Sequence, residues 1–346
     1  MLLIRTAPPG LARLPVGPPP VAPPLGLLHI ASALRAWCRT PVDVSLRHLS
    51  VDVGGMEEVE DLVRALDPDV VGLSGLTIDE VRTLECARAV RKAAPRAVVV
   101  VGGPHATLNP GRCLAEDAVD WVVIGEGERT MASLVDALAS GKRPEDIPGL
   151  AWSGPGGGVE RSRARPFIAD LDTLPGPAWD LVDLDLYSRL YNFHDLPPLA
   201  PPYAPLVTSR GCPWRCMYCH NLFGRKTRFM SAGRVLEEVE SLVRDRGVGE
   251  IHFVDDLFNA DAGRMMDICD GIIDRGLRIK LAFPNGLRGD TMTHEQIDRL
   301  KDAGCYSMTF AMETASPRLQ KMVRKRLDVS RTLDNVRHAS EIGLIT

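Results

Sequence analysis

The chain has 346 residues, of which 45% are hydrophobic and 25% charged, with a formal net charge of -4. That length suits two domains, each able to bury a core of its own. The acidic balance without a concentrated basic tract excludes a nucleic-acid backbone as the main partner, and no run approaches the ~20 apolar residues of a membrane helix. The first apolar residues stop at Pro8-Pro9-Gly10, too early for a signal peptide. Five of the eight cysteines, Cys38, Cys86, Cys113, Cys269 and Cys305, are scattered singly as small core hydrophobes would be, while three are clustered. Small molecules are the expected ligands and a reducing cytoplasm the expected compartment.

From Met1 to about Ser140 the pattern predicts strands at Leu2-Ile4, Val42-Leu46, Val70-Leu73, Val98-Val101 and Trp121-Ile124. Helical patterns fall at Leu25-Ala36, Met56-Leu66, Ile78-Ala93 and Glu128-Leu138. Strand and helix alternating in this way predict a doubly wound, Rossmann-like parallel sheet whose ligand sits beyond the carboxyl ends of the strands. Three of those ends are rich in glycine: Gly72-Leu-Ser74-Gly75-Leu-Thr77, Gly102-Gly103-Pro104-His105-Ala-Thr107 and Gly125-Glu126-Gly127-Glu128. Such glycines serve either tight strand-to-helix turns or the close passage of backbone by a bulky ligand, with Ser74 and Thr77 supplying hydroxyls. No G-x-G-x-x-G on the first turn marks a dinucleotide.

Four stretches in this order resemble the cobalamin-binding domain that precedes the radical SAM domain in the cobalamin-dependent radical SAM family. They are Pro23-Pro24-Leu-Gly26-Leu-Leu28, Asp69-Val-Val-Gly72-Leu-Ser74, Val101-Gly-Gly-Pro-His-Ala-Thr107 and Gly125-Glu-Gly-Glu-Arg-Thr130. The resemblance implies cobalamin held by Leu25, Gly26, Ser74, Thr77, Gly102, Gly103, His105, Gly125, Glu126 and Gly127. The D-x-H-x-x-G that supplies cobalt's lower ligand in methionine-synthase-like proteins does not occur, which implies an open lower face or another group there. His105 reads as a hydrogen-bonding loop residue rather than a cobalt ligand.

Residues 1–140 are therefore expected to form the first domain, and 141–204 a Pro/Gly-rich connector with a hairpin near Gly154-Pro-Gly-Gly-Gly158. Leu171, Leu174 and Trp179 are bulky enough that the connector should pack on a domain surface, with Trp179 as a core anchor. From residue 205 to 346 alternation resumes. Strands are predicted at Leu206-Ser209, Ile251-Val254, Arg278-Phe283 and Ser307-Ala311, and helices at Ala232-Asp245, Ala262-Arg275, His294-Ala303 and Ser330-Glu341. These βα units predict a partial (β/α) barrel with its active face at the strand carboxyl ends. Gly343-Leu-Ile-Thr346 reads as entry into a fifth strand, so the barrel is expected to lack its last two βα units.

After the first of these strands stands Arg210-Gly-Cys-Pro-Trp-Arg-Cys-Met-Tyr-Cys-His220, with Cys212, Cys216 and Cys219 at C-x3-C-x2-C spacing. Three thiolates hold three irons of a 4Fe-4S cluster and leave the fourth iron open. A tetrahedral zinc site would need a further ligand, for which only His220 is at hand. The spacing, with Gly211 and Tyr218 beside it, is similar to the radical SAM motif. That resemblance implies S-adenosylmethionine (SAM) chelating the open iron, an electron donor such as flavodoxin or ferredoxin, and a 5'-deoxyadenosyl radical. It also implies SAM contacts from Tyr218, from Asp255 or Asp256 to the amino group, from Arg288 to the carboxylate and from Glu313 to the ribose. The cluster Lys321 to Arg326 reads as a solvated helix face.

The commonest reaction of the family is methyl transfer to an unactivated carbon of a small-molecule substrate, with methylcobalamin as methyl donor. A radical cyclisation or rearrangement is the alternative within enzymes, and a non-catalytic cofactor-binding fragment the alternative outside them.

Overall fold

A computed structural model describes residues 1–7, 21–190 and 197–346. The Pro8-Pro9-Gly10 stop and residues 191–196 of the expected connector lie outside the described residues. Two compact units emerge, Met1–Ile168 with Leu174–Asp183 and Ala169–Thr173 with Leu184–Thr346.

The first unit is built on a seven-stranded sheet. Strands β1 (Leu2–Arg5), β2 (Ser45–His48), β3 (Val70–Ser74), β4 (Val98–Gly102) and β5 (Trp121–Val123) are parallel, in the order β2-β1-β3-β4-β5. Leu2, Ile4, Val71, Val99 and Val101 are at most 1% exposed, the near-continuous apolar composition of strands covered on both faces. Helices α1 (Leu25–Trp37), α2 (Met56–Leu66), α3 (Glu80–Ala93), α4 (Pro104–Leu108), α5 (Pro110–Leu114) and α6 (Glu128–Ala139) supply those covers. On α2 only Val59 and Val63 are buried, four residues apart on one stripe. Strand order reverses between β1 and β3, where a doubly wound sheet opens a crevice. Register makes its rim level, with Arg5 opposite Ser74 and Ser74 opposite Gly102.

Part of the expected connector completes this sheet. Strand β6 (Leu150–Ser153) runs antiparallel to β5, and β7 (Val159–Arg161) antiparallel to β6, across the Gly154 to Gly158 turn. Leu150 and Ala151 are fully buried, so this hairpin belongs to the core rather than to a surface linker. Trp179 is 4% exposed.

The second unit holds α7 (Leu184–Arg189) and a four-stranded parallel sheet, β8 (Tyr203–Leu206), β11 (Glu250–Phe253), β12 (Lys280–Leu287) and β13 (Cys305–Phe310), whose neighbours in space are neighbours in the chain. A short antiparallel pair, β9 (Ser209–Arg210) and β10 (Arg228–Phe229), brackets the cysteines. Helices α8 (Ala232–Arg246), α9 (Ala262–Asp274), α10 (His294–Asp302), α11 (Pro317–Met322) and α12 (Val329–Glu341) follow. Helix α8 buries Val235, Leu236, Val239 and Leu242, as its periodicity predicts, between a Ser231 cap and Gly247. Ile345 pairs with Ser307 beside β13.

The first strand of this unit lies three residues before its predicted place. After Leu206 the backbone leaves the ladder because side chains take over its hydrogen bonds. Thr208 N donates to Asp255 Oδ1 at 3.0 Å, and Thr208 O accepts from Arg264 at 3.1 Å. Among the described residues no helix is long and apolar enough to cross a membrane.

Candidate functional site

Between β9 and β10 the chain carries all three clustered cysteines on one loop, at the carboxyl end of the second unit's sheet. Gly211 opens it at φ +91°, and a Cβ there would lie 2.7 Å from Lys226 O, so only glycine lets the two arms of the loop approach. Cys212 N donates to Gly224 O at 3.3 Å and Cys219 N to Cys216 O at 3.3 Å, which curls the cysteines toward one another. Cys212 and Cys216 are partly buried and Cys219 is exposed. Burial, and then the charge of the neighbouring thiols and Asp256, raises the pKa of Cys212 and Cys219. Thiolates that repel one another at close range are what a cationic iron cluster stabilises. Among the described residues no three His, Cys, Asp or Glu side chains converge on a single ion. A cluster needs no such convergence, because each thiolate takes a different iron.

The two aspartates after β11 divide the work. Asp256 accepts from Gly211 N at 3.0 Å and stands 3.9 Å from His220 Nε2, beside the cysteines. Asp255 is 2% exposed and turned inward. Its Oδ1 accepts from Thr208 N (3.0 Å), Thr208 Oγ1 (2.9 Å) and Ser209 Oγ (2.5 Å), and burial raises its pKa. It therefore fixes the strand end that launches the loop.

A second wall comes from residues 313–326. Met217 N, inside the cysteine loop, donates to Val323 O at 3.0 Å. Lys325 Nζ reaches Glu313 Oε1 at 3.0 Å, and Tyr218 lies close enough to Glu313 and Cys216 to feel their charges. Burial, then the charges of Cys216 and Glu313, raises the Tyr218 pKa. Glu313, Arg324 and Arg326 all have positive φ, at 65°, 58° and 51°, a concentration of strained backbone typical of functional sites. The reading of Lys321 to Arg326 as a solvated helix face fails at Lys325, which is 7% exposed. Helix α11 ends at Met322, and the two left-handed residues roll the chain over so that Lys325 faces inward.

Arg288 is also inside, at 5% exposure. Its Nε lies 2.8 Å from Asp290 Oδ1, NH2 3.0 Å from Asp290 Oδ2 and NH1 3.1 Å from Lys325 O, and its plane covers the Trp214 ring. Trp214, Lys325 and the buried Gln320, which braces Met312 O and Thr314 O, are site residues that sequence reasoning missed. Trp214 alone carried a signal, its place midway between Cys212 and Cys216.

In the first unit the three glycine-rich strand ends do meet on one rim. Asp79 ties β1 to the loop after β3, accepting from Arg5 and from Leu76 N at 2.8 Å. Thr107 ties the two later loops together, accepting from Gly125 N at 3.0 Å. Gly103 has φ +89°, and a Cβ on it would stand 2.7 Å from Ser74 Oγ. At Gly26, in the first turn of α1 after Leu25, and at Gly125, an added Cβ would meet nothing within 4 Å. Bare backbone with Ser74 and the exposed Thr77 beside it suits a large flat ligand with amide arms, so the residues fit cobalamin. Gly102 lies at the same strand end, and Gly127 packs against Ile30 of α1.

Two of the expected cobalamin residues turn into the protein. His105 is 3% exposed, with Nδ1 3.4 Å from Thr77 Oγ1 and Nε2 3.8 Å from Glu80. Glu126 is 7% exposed and accepts from Ile168 N at 2.7 Å.

Residues 18–135 match the B12 binding domain and residues 206–346 the radical SAM superfamily. An uncharacterized methyltransferase of Pyrococcus horikoshii is 32% identical over 93% of this chain and 67% of its own length. The anaerobic magnesium-protoporphyrin IX monomethyl ester cyclase of Rubrivivax gelatinosus is 27% identical over 94% of this chain and 58% of its own. Among solved structures, the cobalamin-dependent S-adenosylmethionine radical enzyme OxsB, with aqua-cobalamin and S-adenosylmethionine bound, superposes with a TM-score of 0.81 at 20% identity. It covers 99% of this chain, which spans 48% of it. The chain thus spans between about half and two thirds of the relatives it matches.

Proposed function

Because the chain belongs to the cobalamin-dependent radical SAM family, we propose that it acts as a methyltransferase on an unactivated carbon of a small molecule. When bound, the cluster with SAM supplies a carbon-centred radical and cobalamin supplies a methyl group. The observation that carries the reading is the cysteine loop, which includes Tyr218, held at the carboxyl end of a parallel sheet with Asp256, Glu313 and Lys325 gathered beside it.

In this reading Cys212, Cys216 and Cys219 each ligate one iron. Asp256 and Glu313 face the SAM ammonium and ribose, where a carboxylate accepts charge-assisted or hydroxyl hydrogen bonds. Tyr218 lies along the adenine. Asp255 and Arg288 support these groups from behind. Leu25, Gly26, Ser74, Thr77, Gly102, Gly103, Gly125 and Gly127 line the cobalamin rim, with His105 and Glu126 bracing it. Electrons come from a small donor protein such as flavodoxin or ferredoxin. Radical cyclisation is the second reading, favoured by the similarity to the cyclase of Rubrivivax gelatinosus.

The test is anaerobic reconstitution of the full-length protein with iron, sulfide and cobalamin, followed by incubation with methyl-labelled SAM, a reductant and candidate substrates. Label recovered on a product carbon is expected. Formation of 5'-deoxyadenosine with product that never carries label would sink methyl transfer and leave cyclisation. Replacing Cys216 by Ala should remove the cluster's visible absorption and SAM cleavage while cobalamin still binds.

A further inference from the structure

Arg288 follows β12, and its backbone is pinned on both sides by one buried amide. Asn259 Nδ2 donates to Arg288 O at 3.0 Å, and Arg288 N donates to Asn259 Oδ1 at 3.1 Å. Both terminal nitrogens of its guanidinium already donate to protein oxygens. NH2 donates to Asp290 Oδ2 at 3.0 Å and to Arg326 O at 3.2 Å, NH1 donates to Lys325 O at 3.1 Å, and Nε lies 2.8 Å from Asp290 Oδ1 as an ion-pair contact only. What the group offers the cysteine loop is its flat face, 3.5 Å from the centroid of the Trp214 ring.

Trp214 sits two residues from both Cys212 and Cys216, and Arg225 donates to its carbonyl oxygen. The gap between the first two cysteines is thus held at backbone and ring together. The second gap is held by Met217 N on Val323 O, from the same 323–326 segment that Arg288 grips.

We propose that Arg288 is a positioning residue that clamps the cysteine loop through the Trp214 ring and so sets how tightly the loop retains its iron-sulfur cluster. The inference rests on the reading of Cys212, Cys216 and Cys219 as cluster ligands. It assigns Arg288 a role other than binding the SAM carboxylate, which would have to displace the Asp290 ion pair. Stacking on the ring while donating to Asp290 and two carbonyl oxygens at once needs a planar guanidinium, so lysine is no substitute.

The experiment follows iron released to a chelator from the anaerobically reconstituted full-length protein, for wild type, Arg288→Lys, Arg288→Gln, Trp214→Phe and Trp214→Leu. Thermal unfolding of each cluster-free chain is recorded in parallel. Release about tenfold faster is expected for both Arg288 variants and for Trp214→Leu, the size of a partly desolvated cation-π contact. Trp214→Phe, which keeps an aromatic face, should release iron close to the wild-type rate. The two Trp214 variants should unfold alike without the cluster, so that their difference reports the loop and not the fold. Wild-type release rates in Arg288→Lys and Trp214→Leu would overturn the clamp. So would an unchanged rate in Arg288→Lys alongside weaker SAM retention in equilibrium dialysis, which would return Arg288 to the carboxylate. A wild-type chain that takes up no cluster would instead overturn the cluster reading itself.

Discussion

At the rim of the first unit, the atoms offered to a ligand belong to backbone and short hydroxyls: Gly26, Gly102, Gly103, Gly125, Ser74 and Thr77. At the cysteine loop of the second unit, the backbone and its neighbours are held by side chains: Gly211 by the half-buried Asp256, Ser209 by the buried Asp255, Trp214 by the buried Arg288 and the exposed Glu313 by the buried Lys325. The difference follows from what each surface must hold. A large corrin is recognised over a wide area, and a rim with little side-chain bulk admits it. A cluster and its chelating ligand need a few atoms held in place, and side-chain networks supply that rigidity. The two surfaces should therefore respond differently to substitution, the loop through stability and the rim through affinity.

The largest effect is expected at Asp255. Replacing it by Ala leaves Thr208 and Ser209 without their acceptor and takes from the buried Arg264 the strongest of its nearby carboxylates, a loss of about 3 kcal/mol or more in denaturant unfolding. Its pH dependence has a definite sign. Burial raises the carboxyl's pKa above its ordinary 3.8, so the folded chain holds that proton more tightly than the unfolded chain. The group's contribution is full below 3.8 and is lost as pH rises through the raised value. Stability measured across that range should fall with pH in the wild type and fall less in Asp255→Asn. An equal slope in both would show that folding does not raise this carboxyl's pKa, while an Asp255→Ala chain as stable as the wild type would break the claim that the loop rests on this residue.

Next come the rim glycines, where stability and affinity should separate. Gly103→Ala brings a Cβ against Ser74 at a positive φ and should cost about 1–3 kcal/mol as well as weakening cobalamin binding. Gly26→Ala fills open space in a helical first turn, so stability should hold or rise by about 0.5 kcal/mol. Cobalamin titration should nevertheless show Gly26→Ala binding several-fold more weakly. Unchanged affinity there would show that bare backbone is not what the rim offers.

The smallest effect is expected at His105. Since it faces Thr77 and Glu80, His105→Gln should leave cobalamin affinity within about twofold, a fraction of a kcal/mol. The absorption spectrum of bound cobalamin should also stay the same. A changed spectrum would make His105 a cobalt ligand and erase the contrast between the two regions.

Much of this was legible in the chain itself, because the signals are local. The apolar run Val98 to Val101 can only be a covered strand, the stripe on α8 only a helix face, and C-x3-C-x2-C only a loop presenting three thiols to one object. Glycine after three successive strands marked the rim before the sheet order was known. What the tertiary structure decided are the matters that depend on partners distant in sequence. The hairpin of β6 and β7 reads as linker until β5 offers an edge. Asp255 and Asp256 are identical neighbours until Thr208 and Gly211 claim one each. Arg288 and Lys325 read as solvated or ligand-facing cations until Trp214, Asp290 and Glu313 fold around them. Local pattern fixes backbone preference and burial periodicity, but which way a charged side chain turns is set by the carboxylates, carbonyls and rings that folding brings to it, and no window of sequence contains those.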